Sequence, residues 1–104
     1  QAYQYLGLDP GQSGTVWYMP VGGGFVAFVE QVYIRWFTDT VLEFVIDGVP
    51  VELTVEHYMG LVTGQRKYDP PLVARQFIRV VAHNNSGVKH TFEATIDGEM
   101  CKPK

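Results

Sequence analysis

Apolar and polar side chains alternate with a period of two in several stretches of this chain, the spacing that sends successive residues to opposite faces of a sheet. Thr40, Leu42, Phe44 and Ile46 alternate with Val41, Glu43, Val45 and Asp47, and Asp47-Gly48 then marks a turn, because both residues tolerate positive φ. Val51, Leu53 and Val55 next oppose Glu52, Thr54 and Glu56, the pattern of a strand with one wet face. The two runs read as a hairpin. Pro50 lacks an N–H, which places it at a strand start or on a sheet edge. Gln76 to His83 is another strand, largely β-branched or aromatic, and after it Val88, His90, Phe92, Ala94 and Ile96 alternate with Lys89, Thr91, Glu93 and Thr95. Asn84-Asn85-Ser86-Gly87 between them predicts a second hairpin, with residue 83 opposite 88 and residue 81 opposite 90. Asp97-Gly98 predicts a further turn, echoing Asp47-Gly48.

The run from Gly24 to Phe37 is apolar on both faces: Phe25, Ala27, Val29 and Tyr33 lie on one, and Val26, Phe28, Val32, Ile34 and Trp36 on the other. That predicts a central strand buried on both sides, or a long strand bent between two sheets. Thr15 to Met19 is a short strand closed by Pro20. Tyr58 to Pro71, with Gly60, Gly64, Gln65-Arg66-Lys67 and Pro70-Pro71, reads as an exposed loop with a short strand at Leu61 to Thr63. No window carries the apolar stripe of a helix. The prediction is therefore an all-β domain, an antiparallel β-sandwich of jelly-roll type with about six to eight strands.

Composition narrows this to one unit. At 104 residues the chain suits a single domain spanning 1–104, and its 46% hydrophobic and 13% aromatic residues exclude a disordered chain. A formal charge of -3 argues against nucleic acid or an anionic membrane surface as partner. Glu30, Arg35, Asp39 and Glu43 interrupt every apolar stretch well short of the ~20 residues that span a bilayer. Cys101 is the single cysteine, so no intramolecular disulfide forms and a cysteine zinc site lacks its partners.

Candidate chemistry is sparse. His83 and His90 fall diagonally across the second predicted hairpin, where they could share a metal, but no further ligands stand at suitable spacing. Each Asp sits beside Gly, Pro or Thr at a predicted turn, and Ser13 and Ser86 lie outside any nucleophile motif. No cofactor and no catalytic residue is expected. Asn84-Asn85-Ser86 matches a glycosylation sequon, though good turn chemistry explains the same residues. Exposed rings can stack on sugars, which makes Trp17, Tyr18, Tyr33, Trp36, Tyr58 and Tyr68 candidates for a ligand or interface surface, with Arg66 beside the last two. Core packing is the competing account of Trp17 and Trp36.

The order of these pieces resembles small jelly-roll or sandwich domains of bacteriophage structural proteins. Pro20-Val21-Gly22 leads into a long apolar strand, and Leu42 to Gly48 ends in Asp-Gly. Pro70-Pro71-Leu72-Val73 follows, then Phe77 to Gly87 running into Asn-Asn-Ser-Gly, then Ile96-Asp97-Gly98. The similarity covers residues 14 to 100; Gly22-Gly23-Gly24 and the basic stretch 58–69 depart from it. The resemblance implies a non-enzymatic virion component, a decoration, spike or adaptor domain, whose partners are copies of itself, neighbouring virion proteins and a host surface glycan. The apolar second face of 25–37 would be the contact surface. The alternative is a carbohydrate-binding module using Tyr58, Arg66 and Tyr68.

Overall fold

The computed structural model describes residues 2–35, 37–55 and 63–102, and of residues 52–55 and 63–66 it describes the backbone. Eight strands follow one another: β1 (Ala2–Leu8), β2 (Ser13–Pro20), β3 (Val26–Arg35), β4 (Thr40–Ile46), β5 (Val49–Val55), β6 (Thr63–Ala74), β7 (Phe77–Asn84) and β8 (His90–Cys101). They form two four-stranded antiparallel sheets, one ordered β1-β8-β3-β6 and the other β2-β7-β4-β5. First pairs with last, second with seventh, third with sixth and fourth with fifth, the strand order of an eight-stranded jelly roll. The fold is the all-β antiparallel sandwich that the alternation predicts.

Trp17, Phe44 and Phe92 are the largest fully buried side chains between the sheets, packed with Leu42, Ile78, Val29, Val32 and Val80. On β7 and β8 burial alternates residue by residue, as period-two patterning requires. The β4–β5 hairpin forms as predicted, with Ile46 opposite Val49 and positive φ at Asp47 (54°) and Gly48 (85°). Pro50 lies on β5 at the end of its sheet, as its missing N–H demands.

Four expectations are corrected. The second hairpin does not form: β7 belongs to one sheet and β8 to the other, so residues 85–89 cross between the sheets. Turn residues mark where a chain changes direction, but not whether the next strand pairs with the last.

The expected exposed loop over Tyr58 to Pro71 is, from Thr63 onward, strand β6 at a sheet edge; the short strand at Leu61 to Thr63 lies mostly outside the described residues. Two prolines fit there because an edge strand leaves donors unused on its outer side.

Asp97-Gly98 is not a turn but lies inside β8. Finally, β3 is central, between β8 and β6, yet it is not buried on both faces. Its pairing shifts register between Val29 and Gln31, leaving Glu30 as a bulge. Ala27 and Val29 face the core before the bulge, Val32 and Ile34 after it, while Tyr33 and Arg35 are exposed. One extra residue switches the inward phase, so a single buried face reads in sequence as two apolar ones.

Candidate functional site

Trp17 is removed from the candidate surface. A register shift between Thr15 and Trp17 turns the adjacent Val16 and Trp17 both inward, and the indole is 1% exposed with its Nε1 donating to the Ala2 carbonyl at 3.2 Å. Tyr68 is half-buried against the core, its ring 6.2 Å from that of Phe44. Trp36 and Tyr58 lie outside the described residues, as does the Arg66 side chain, although the Arg66 backbone pairs with Val32. The loop surface of Tyr58, Arg66 and Tyr68 is therefore not one the described residues display. Among the described candidates Tyr33 stands exposed on the β1-β8-β3-β6 sheet, at 47%, and Tyr18 on the other sheet, at 48%, its ring 6.0 Å from that of Phe77.

Around Tyr33 the fold gathers residues that the sequence scatters. Across the outer face of the β1-β8-β3-β6 sheet, Thr95 sits opposite Tyr3 on one side and Tyr33 on the other, and Glu93 likewise sits between Tyr5 and Arg35. Tyr3 and Tyr5 are exposed, with ring centroids 6.0 Å apart. The Tyr3 hydroxyl donates to Glu93 Oε1, and Arg35 Nη1 lies 3.3 Å from Glu93 Oε2. The Tyr3 hydroxyl, with help from Arg35, holds the Glu93 carboxyl below the usual glutamate range, and Glu93 in turn pushes the Tyr3 phenol up. Tyr3, Tyr33, Arg35 and Glu93 edge a trough of about 320 Å³ whose floor is Ala94 and Thr95. Tyr3, Tyr5, Arg35 and Glu93 were not candidates from sequence. The Tyr-x-Tyr alternation of Tyr3 and Tyr5 against Leu6 and Leu8 was a usable signal for β1 and its outward rings; the Arg35–Glu93 approach was not, because it depends on a register set by distant strands.

The opposite sheet face carries a second polar line. Ser13 Oγ lies 2.7 Å from His83 Nδ1, and His83 Nε2 lies 2.8 Å from Glu43 Oε1. These are the residue types of a hydrolase triad, but acyl transfer also needs preorganised donors aimed at the developing oxyanion and a recess for the substrate. The line runs across three neighbouring strands with His83 and Glu43 each about one-third exposed, the expected pairing of polar side chains on a wet sheet face. His90 is on the other sheet, stacked on Phe37 at 4.1 Å, so the two histidines do not share a metal. Among the described residues no group of three or more His, Cys, Asp or Glu is placed to hold one.

The sequon asparagine is structural. Asn84 is fully buried; its Nδ2 donates to the carbonyls of Leu8 and Val88, both at 2.9 Å, and its Oδ1 accepts from Ser86 N and Oγ. In the folded domain its amide is committed to the crossing between sheets. A second, smaller cavity of about 140 Å³ opens between the sheets at the far end of β8, lined by Trp17, Met19, Ile78, Ile96 and Met100 among others.

Comparison with models of known protein families finds no match, and no curated protein matches the chain.

Proposed function

We propose that this chain is a non-enzymatic structural domain of a phage virion that assembles with copies of itself and with neighbouring virion proteins. The observation that carries the reading is the strand order, which completes the eight-stranded jelly roll that the resemblance implies and that viral capsid domains use. The second apolar face of residues 25–37 no longer supports assembly, since the Glu30 bulge accounts for it. Support comes instead from β5, which ends its sheet and exposes Val49 at 61% and Val51 at 41%. An edge strand presents unpaired N–H and C=O groups to any strand that approaches it. A second copy can add its own β5 antiparallel across a twofold axis, a self-complementary contact. Pro50 offers no donor, so the shared ladder runs from Val51 onward.

Mass spectrometry of particles purified from a culture producing the protein tests the reading. Peptides of this chain are expected in the banded particles. Recovery only from the soluble fraction, with none in the particles, would overturn it.

A further inference from the structure

We propose that the trough between Tyr3 and Tyr33 is a binding site for a neutral carbohydrate. It lies on the β1-β8-β3-β6 sheet, away from β5, and does not depend on assembly.

Tyr3 and Tyr33 stand in register on either side of Thr95, two strand spacings or about 10 Å apart. That separation is wide enough to admit a saturated ring between or across the phenols and places a hydroxyl on the floor beneath it. The trough volume of about 320 Å³ is at the lower end of the range for small-ligand sites, roughly 300–1,000 Å³. Aromatic walls favour a ligand with an apolar face, and the C–H face of a pyranose supplies one. Tyr5, 6.0 Å from Tyr3, extends the aromatic surface along β1 for a second sugar unit.

The end wall selects among ligands with such a face. Glu93 and Arg35 form an ion pair, so the wall is neutral as a unit: an anionic ligand meets the carboxylate and a cationic one meets the guanidinium. The wall still has unused capacity. A carboxylate has about four lone-pair sites and a guanidinium five donors, of which the Tyr3 hydroxyl and the ion pair engage a minority. Vicinal hydroxyls donate and accept from adjacent positions, so one sugar edge can bond both groups at once. A proline-rich segment could also stack on the tyrosines, but its proline rings carry no donor for Glu93, which would leave the wall half-matched.

The test is a titration of the isotope-labelled chain with cellobiose, maltose, lactose and diacetylchitobiose, each into the tens of millimolar, followed by nuclear magnetic resonance. At least one sugar is expected to shift the amide signals of Tyr3, Thr95 and Tyr33 together. Tyr33→Ala should weaken that binding roughly three- to tenfold, the value of one aromatic wall, while Tyr33→Phe retains it and Tyr18→Ala on the other sheet leaves it unchanged. Tyr33 is exposed, so these variants should keep the wild-type spectrum elsewhere. The proposal is overturned if none of the sugars moves those signals, if the shifts map elsewhere, or if decaproline moves them at lower concentration than any sugar.

Discussion

Asp47 connects the β4–β5 hairpin turn to the β6–β7 crossing between sheets through a single carboxylate. Its oxygens accept from the backbone N–H groups of Arg75 (3.0 Å), Gln76 (2.6 Å) and Phe77 (3.1 Å), which ties the β4–β5 turn to the start of β7. Partial burial pushes the carboxyl up, but those three donors outweigh it and hold it below the ordinary aspartate value. Asp47→Asn is expected to cost about 1–2 kcal/mol at neutral pH, measured by urea denaturation. Because the folded pKa is the lower one, this stabilisation is complete above the unfolded value of about 3.9 and disappears as pH falls through the folded value. The gap between wild type and Asp47→Asn should therefore close in acid; a gap that stays constant down to the acid transition would assign the loss to packing. Asn84 makes a stronger prediction. Asn84→Ala strips partners from the Leu8 and Val88 carbonyls and from Ser86, and should cost about 2–3 kcal/mol by the same assay. Sequence showed both residues as turn formers, which they are, but not that each side chain bonds to backbone far along the chain.

At the scale of elements, what the sequence made legible was the alternation, and what hid the rest was bulges. β7 and β8 keep a period of two and could be read directly. β3, β2 and β5 each insert one residue, Glu30, Val16 and Val51, and in β3 and β2 the insertion turned a one-faced strand into an ambiguous one. The candidate site was legible only at Tyr33; its neighbours Tyr3 and Glu93 are 90 positions apart and meet only because β8 lies beside β1. The same bulge explains Gly98, which reads as a turn in sequence. A Cβ there would come within 2.0 Å of the Phe28 carbonyl oxygen, because the Glu30 bulge brings the β3 backbone close to β8. Backbone cannot give way as a side chain would, so Gly98→Ala should destabilise by at least about 1–3 kcal/mol. Gly22→Ala, which meets nothing within 4 Å, is the matched control and should change stability little. Equal thermal midpoints for the two variants would contradict the close approach.

For the whole molecule, the jelly-roll order leaves two sheet edges in each layer and an elongated body with extents of 50 × 24 × 22 Å. Natural edges are commonly blunted by proline or charge. β6 has Pro70 and Pro71 together with Arg66 and Lys67, whereas β5 has Pro50, a bulge at Val51 and the single charge of Glu52, and no proline from Val51 to Val55. In the proposed assembly β5 is the edge that pairs with another copy, and the aromatic face lies on the other sheet. The most direct measurement is sedimentation equilibrium of the full chain at micromolar concentration, wild type beside Val51→Asp. The wild type should sediment as a dimer or larger closed oligomer, and Val51→Asp as a monomer with an unchanged far-ultraviolet circular dichroism spectrum. A wild-type chain that stays monomeric, or an oligomer indifferent to Val51→Asp, would contradict assembly through β5.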